Sequence, residues 1–195
     1  MSDRIFGDRE KALEENYFRN QDAKLLQQLR QGSKLDDLAL ALADKLNVDK
    51  PELLVRVREL GVTADTAAAF LLAPLVQIAW AEGAVTRPER EAVLHLARER
   101  GIEDGSPAHG QLTAWLDSRP DDALFDAAVE AIKSGLTVLP GSEKEERITR
   151  ITDACRRVAE ASGSEIARLI GLGDGVSSDE GSLLDSINRR LRAHD

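Results

Sequence analysis

The sequence predicts an all-α protein, a bundle of about eight or nine helices preceded by an amphipathic helical arm at the N-terminus. Aromatic residues make up only 4% of the 195 residues, while Ala and Leu are abundant, and this composition favours helices over sheets. Apolar residues recur at helical spacing in segment after segment, whereas the alternation typical of strands does not. With 42% hydrophobic residues, the chain has enough apolar material for a core.

The first helix is predicted over residues 8–31, where the apolar side chains form one stripe and the other positions are mostly charged or polar. Gly32 is expected to end it, and Ser33 to cap the next helix. That next helix has an amphipathic face that contains Leu35, Leu38, Leu42 and Leu46. We therefore divide the chain into an arm, residues 1–31, and a helical domain, residues 33–195.

Proline and glycine mark the boundaries that follow. Residues 49–52 begin a short helix with an early proline, and Gly61 ends it. Thr63 opens the segment 64–81, which is apolar almost all round and is predicted to be the central core helix. Pro74 removes one backbone hydrogen bond within this segment, so we expect the helix to be kinked or split.

Five more helices complete the predicted bundle. One of them ends at Gly101, and the next begins at Ser106-Pro107 and stops before Pro120. The remaining three are predicted over about residues 121–138, 142–163 and 178–192.

The net charge of −9 resides in the helical domain, because residues 1–31 carry six Lys or Arg and six Asp or Glu. An acidic surface disfavours nucleic acid and anionic membranes as partners and suits divalent cations or a basic protein surface. The most apolar stretch, residues 67–81, is shorter than the roughly 20 residues that span a bilayer, so no membrane insertion is expected. A single cysteine and an N-terminus without an apolar leader predict a cytoplasmic protein.

Two turns in the helical domain share a sequence pattern. Each begins with an acidic residue and a glycine, which are followed by valine and then by Thr or Ser. A glutamate stands three positions after the Thr or Ser. The first runs from Glu82 to Glu89 and the second from Asp174 to Glu180. The Thr/Ser-x-x-Glu part of each predicts a capping box, in which hydroxyl and carboxylate accept each other's backbone N–H groups. The glycine of each turn permits a backbone conformation that other residues resist.

Helix capping explains every residue of the two patterns except the acidic residues before glycine, Glu82 and Asp174. The alternative interpretation of the turns is therefore a divalent cation site. A hard cation such as Ca²⁺ takes roughly six to eight oxygen ligands, and each turn offers only a few carboxylates. If a cation binds, the predicted ligands are Glu82, Glu89, Asp174 and Glu180.

Residues 79–89 match the pattern Ala-x-Ala-(Asp/Glu)-Gly-x-(Ile/Val)-(Ser/Thr)-x-x-Glu. Over about residues 64–192 the chain therefore resembles the TerB tellurite-resistance family. The resemblance implies an all-helical fold with pseudo-twofold related helix–turn–helix units and an acidic patch suited to a divalent metal. It implies no established catalytic role, and Glu82 stands where the family usually has Asp.

Residues 6–21 read Phe-Gly-Asp-Arg-Glu-Lys-Ala-Leu-Glu-Glu-Asn-Tyr-Phe-Arg-Asn-Gln. They resemble the inhibitory segment of the mitochondrial ATPase inhibitor family at every position that its pattern specifies. In that family the segment enters a cleft of a catalytic subunit of the rotary ATPase, which implies a protein partner of this type. The implied partner-binding residues are Phe6, Arg9, Glu10, Glu14, Tyr17, Phe18, Leu26 and Leu29.

From its residues alone, an amphipathic arm with the aromatic pair Tyr17-Phe18 can pack on its own domain, form a dimer, or enter the groove of a partner. Two features depart from the inhibitor family. Gly32 interrupts the helix where that family continues into a dimerising coiled coil. No histidine precedes His95, so the family's histidine-based pH sensing is not expected here.

Candidate catalytic residues are few. His95, His109 and His194 are far apart and lack metal-ligand spacing. Cys155 lies at helical spacing with apolar residues, which predicts a core position. The glycine-rich residues 171–175 lack the Lys and Ser/Thr of a phosphate-binding loop. The sequence therefore predicts a protein that is not an enzyme.

The leading prediction is a non-enzymatic regulatory or adaptor protein of the TerB-like class whose N-terminal helix docks onto a protein partner, with a rotary ATPase as the candidate. The alternative is a divalent-metal-binding stress-response protein of the tellurite-resistance type, in which the N-terminal helix is structural or forms a dimer. A divalent cation is the one cofactor considered, and a homodimer stays open.

Overall fold

The computed structural model describes residues 37–39, 41–42, 50–163 and 176–193, and within these ranges every regular element is a helix. The short stretches 37–39 and 41–42 are helical, and a 3₁₀ turn, Ala64–Thr66, precedes α2. The helices are α1 (Pro51–Glu59), α2 (Ala67–Phe70), α3 (Ala73–Ala79), α4 (Arg87–Glu99), α5 (Pro107–Asp117), α6 (Asp122–Thr137), α7 (Gly141–Gly163) and α8 (Ser178–Arg192). The predicted all-α class is confirmed.

The short helix α3 lies at the centre of the bundle. It packs against α4, α5, α6, α7 and α8. Six of its seven residues are buried, and only Gln77 is partly exposed. Around it, α4 and α8 both pack on the long helix α7, while α1 packs on α6. A helix that is apolar on all sides belongs in the middle of such a layered bundle.

The apolar segment 64–81 is split, as Pro74 led us to expect. It forms the 3₁₀ turn, then α2, then α3, and the break falls at Leu71 and Leu72. Pro74 lies in the first turn of α3. There its missing N–H would have had no partner within the helix, so proline is compatible with a new helix start and incompatible with a continuous one.

The other boundaries also follow the local signals. Pro51 is in the first turn of α1. The Ser106 side chain accepts a hydrogen bond from the backbone N–H of His109 at 3.2 Å and so caps α5. Gly101 follows α4 with a φ of +80°, a conformation that glycine adopts without strain.

The core contains Leu38 and Leu42, two of the four leucines predicted to share a face, and both are fully buried. Cys155 is fully buried as well, which confirms its predicted core position. No helix in the described part of the chain is both long enough and apolar enough to cross a membrane. The pseudo-twofold relation of the two helix–turn–helix units stays a prediction.

Candidate functional site

The first capping box fixes Glu89 at the start of α4. Its Oε2 accepts hydrogen bonds from the backbone N–H of Thr86 at 2.6 Å and from the Thr86 hydroxyl at 2.7 Å. In return, the Thr86 hydroxyl oxygen accepts from the backbone N–H of Glu89 at 3.4 Å. Glu89 is only 1% exposed, so this carboxylate is held inside the protein by the helix it caps.

The second capping box repeats this arrangement at the start of α8. Oε2 of Glu180 accepts from the backbone N–H of Ser177 at 2.8 Å, and the Ser177 hydroxyl oxygen accepts from the backbone N–H of Glu180 at 3.3 Å. Glu180 is fully buried. Both predicted capping boxes are therefore confirmed, and each places a glutamate in the interior, where an unpaired carboxylate is costly.

The turn before α4 carries the exposed Glu82. Gly83 has a φ of +84°, and an added Cβ would meet no atom within 4 Å, so backbone conformation rather than space requires glycine there. The indole N–H of Trp80 donates to the backbone oxygen of Trp115 at 2.8 Å. This hydrogen bond ties the start of the turn to α5 and so fixes where Glu82 stands.

The two capping boxes lie near each other, although they are far apart in the sequence. Burial raises the pKa of the Glu180 carboxyl above its ordinary value of 4.5, hydrogen bonds from Ser177 oppose this shift, and the negative charges of Glu89 and Glu82 raise the pKa further. Such an electrostatic effect requires neighbouring carboxylates. We call Glu82, Glu89 and Glu180 the acidic junction.

Three of the four predicted metal ligands belong to the acidic junction, where the charges of Glu82 and Glu89 act on Glu180. The fourth, Asp174, lies outside the described residues. Within the described ranges, no three His, Cys, Asp or Glu residues form a group that could hold a metal ion. One oxygen each of Glu89 and Glu180 is engaged in capping. The chemistry of the donors fits a hard cation, but a coordination shell would need ligands from beyond these three residues.

A cavity of about 400 Å³ lies between α3 and α8 beside the junction. Its lining includes Gln77, Trp80, Arg119 and Asp179. Trp80 lies two residues before Glu82, and Asp179 directly precedes Glu180. The Gln77 side-chain oxygen is buried and has no hydrogen-bond partner among the residues that the structure describes. Gln77 is not one of the predicted site residues, yet a single amide within an apolar core segment is the signal that would have found it.

Among the described residues, the candidate catalytic side chains form no common cluster. His95 pairs with Glu99 at 3.1 Å, and His109 pairs with Asp104 at 3.2 Å. Burial raises the pKa of the Cys155 thiol to about 12, with a smaller opposing effect of Arg100, so the nucleophilic thiolate is suppressed. His194 and residues 171–175 are outside the part of the chain that the structure describes.

The arm also falls outside the described residues, and with it all eight residues predicted to bind a partner. Their role stays a prediction. Comparisons of the chain with protein-family models, with curated proteins and with solved structures found no match. The resemblances to the TerB and ATPase inhibitor families therefore depend on the quoted motifs alone.

Proposed function

We propose that the helical domain is a non-enzymatic, TerB-like regulatory module that binds a divalent cation at the acidic junction. The observation that supports this proposal is that the charges of buried Glu89 and exposed Glu82 act on buried Glu180 and raise its pKa. A divalent cation would relieve the mutual repulsion of these carboxylates. A reducing, cytoplasmic setting suits the buried thiol of Cys155.

The proposed ligands are the carboxylates of Glu82, Glu89 and Glu180, and Asp174 is the fourth predicted ligand. Ca²⁺ and Mg²⁺ both prefer oxygen ligands, and an acidic surface of net charge −9 concentrates cations around it. The N-termini of α4 and α8 stabilise the two glutamates when no cation is bound. The junction can thus be part of a stable fold both with and without the cation.

Calorimetric titration of the full chain with Ca²⁺, Mg²⁺, Mn²⁺ and Zn²⁺ tests this proposal. Glu82→Gln should weaken binding, because Glu82 is exposed and belongs to no capping box. Glu103→Gln removes the same charge from an exposed position away from the junction and should leave binding unchanged. A cation at about a hundred times its Kd should stabilise the fold by roughly 2.7 kcal/mol. Absence of both heat and stabilisation with all four cations would refute the proposal.

A second function is supported by the sequence of the arm. We propose that residues 6–21 dock onto a protein partner, with the catalytic part of a rotary ATPase as the candidate. An amphipathic helix enters a groove through a few anchor side chains, and aromatic residues are the usual anchors. The adjacent Tyr17 and Phe18 fit that role.

ATP hydrolysis by a purified rotary ATPase, measured with and without the full chain, tests this docking. We expect the wild type to inhibit hydrolysis and the double variant Tyr17→Ala, Phe18→Ala to lose inhibition while its far-UV circular dichroism is unchanged. The double variant Asn16→Ala, Asn20→Ala is the control, since both positions are unspecified in the inhibitor pattern. Equal hydrolysis in all four samples would exclude the ATPase as partner, and sedimentation of the same variants would show whether the arm forms a homodimer.

A further inference from the structure

A second cavity, of about 340 Å³, lies between α2, α6, α7 and the C-terminal end of α4, and it is lined by residues other than those of the acidic junction. We call it the basic groove. Its floor is apolar and is formed by Leu71, Leu72, Ile102, Ile132, Leu136 and Ile151. Four of these side chains are otherwise part of the buried core, so the groove opens directly onto the hydrophobic interior.

Three arginines line the basic groove, namely Arg100, Arg147 and Arg150. The described residues that line it include no Asp or Glu, although the chain has a net charge of −9. Arg147, Arg150 and Ile151 follow helical i, i+3 and i+4 spacing, so α7 presents two cations and one apolar side chain on one face. The groove is therefore a local positive site on an acidic protein.

Within the described part of the chain, the three arginines retain donor groups for a ligand. Arg147 has no hydrogen-bond or ion-pair partner among the residues that the structure describes. Arg150 pairs with Glu146 one turn earlier on α7, an exposed pair of a kind that contributes little to stability. Arg100 donates to the backbone oxygen of Leu96 through one nitrogen at 3.5 Å, which leaves most of its donors unused.

An apolar floor beside several guanidinium groups selects for a molecule with an apolar tail and an anionic head. Guanidinium groups bind carboxylate and phosphate oxygens through paired hydrogen bonds. The volume is near the lower end of the range for small-molecule sites, about 300–1,000 Å³, which suits one short tail rather than two. The described residues of the lining offer neither an aromatic ring to stack on a base nor a side-chain amide to recognise one.

We propose that the basic groove binds a single-chain amphiphilic anion, with its tail on the apolar floor and its carboxylate or phosphate head at Arg100, Arg147 and Arg150. Charge complementarity selects the head, and the removal of apolar surface from water provides the affinity. This site is independent of the cation site proposed for the acidic junction, so either proposal can fail without the other.

Calorimetric titration of the full chain with submicellar decanoate and decyl phosphate tests this proposal. Both anions should bind, decanol should bind more weakly, and decyltrimethylammonium should not bind. Across hexanoate, octanoate and decanoate, each added methylene should tighten binding about fourfold for as long as the tail remains on the floor. A preference for decanoate would indicate a fatty carboxylate as the natural ligand, and a preference for decyl phosphate a phosphate head.

Substitutions in the groove separate specific binding from general hydrophobic adsorption. Arg147→Ala should weaken decanoate binding about tenfold, because a charge-assisted hydrogen bond is lost. Arg156→Ala makes the same change at an exposed position of α7 that does not line the groove, and should change binding by less than about twofold. Ala68→Trp should block the tail by filling the groove from α2, while thermal unfolding verifies that the variant is folded.

Four results would overturn the proposal. Equal affinity for decanol and decanoate would show that the arginines do not select the head, as would equal losses in Arg147→Ala and Arg156→Ala. Absence of binding of both anions to the full chain would mean that no accessible site exists, including the case in which another segment of the chain covers the groove. Binding to phosphatidylserine vesicles without binding to either free anion would assign these arginines to a membrane surface instead.

Discussion

Glu180→Gln should make the protein increasingly more stable than the wild type as the pH rises through the range in which Glu180 ionises. Burial, together with the charges of Glu89 and Glu82, raises the pKa of the Glu180 carboxyl above 4.5. A carboxyl whose pKa is raised by folding binds its proton more tightly in the native state than in the unfolded state. Folding stability therefore falls as the pH rises from the unfolded-state pKa through the native pKa, and glutamine removes this loss.

The size of the effect follows from the pKa difference. Each unit by which folding raises the pKa of Glu180 costs about 1.4 kcal/mol of unfolding free energy once the pH exceeds the native pKa. In a protein of this length, about 1 kcal/mol corresponds to roughly 2–4 °C in Tm. The capping box should survive, because an amide oxygen can still accept the backbone N–H of Ser177, which Oε2 of Glu180 now accepts at 2.8 Å.

Thermal unfolding followed by far-UV circular dichroism between about pH 4.5 and pH 8 measures this effect without added divalent cations. The relevant quantity is the difference in Tm between Glu180→Gln and the wild type at each pH, because the titration of other groups cancels in that difference. Glu103→Gln is the control, since Glu103 is exposed. A difference that stays constant or shrinks as the pH rises would refute the argument that the native state raises the pKa of Glu180.

Three further predictions concern core packing, backbone conformation and the accessibility of the buried thiol. Ile78→Ala, at a fully buried position of α3, should lower the unfolding free energy by about 2–5 kcal/mol. Val138→Ala is the control, because Val138 is 55% exposed, and it should change the unfolding free energy by less than about 0.5 kcal/mol. Equal losses of the two variants in urea unfolding would contradict this prediction. Gly83→Ala should lower the unfolding free energy by about 1–2 kcal/mol, because the φ of Gly83 is +84°. Gly110→Ala within α5 should raise the unfolding free energy by about 0.5–1 kcal/mol. Changes of the same sign in both variants would contradict the explanation from backbone conformation. Cys155 should react with Ellman's reagent only after unfolding, and rapid labelling of the folded protein would show that its thiol is accessible.

The helices within residues 50–163 and 176–193 could be predicted from the sequence because their boundaries depend on local signals. Pro51, Ser106 and Gly101 each act within one turn of the helix that they begin or end. An interruption of the helix near Pro74 was expected, but the sequence could not distinguish a kink from a split, because both are compatible with the local chemistry of proline. The choice between them is made by packing, which surrounds α3 with five other helices.

The candidate site was predictable only in its parts. Each capping box can be identified from Thr86-x-x-Glu89 or Ser177-x-x-Glu180, since all of its hydrogen bonds are local. The proximity of the two boxes depends on how α4, α7 and α8 pack, which no spacing in the sequence encodes. The basic groove is less predictable still, because two of its arginines lie on α7 and the third directly after α4, and each one alone is an ordinary surface residue.

The charge of Glu180 should lower the stability of the cation-free protein and raise its affinity for a cation. Measuring both effects therefore distinguishes a purely structural role of Glu180 from a role in cation binding. Without a cation, the raised pKa of Glu180 reflects a charge that destabilises the fold, so Glu180→Gln should stabilise the protein. With a cation, the same charge contributes to affinity, so the variant should gain less stability from Ca²⁺ or Mg²⁺ than the wild type does. A junction that serves capping alone would give only the first effect. A variant that is more stable without cation and less responsive to it would show that this carboxylate is retained at the expense of stability for the sake of binding.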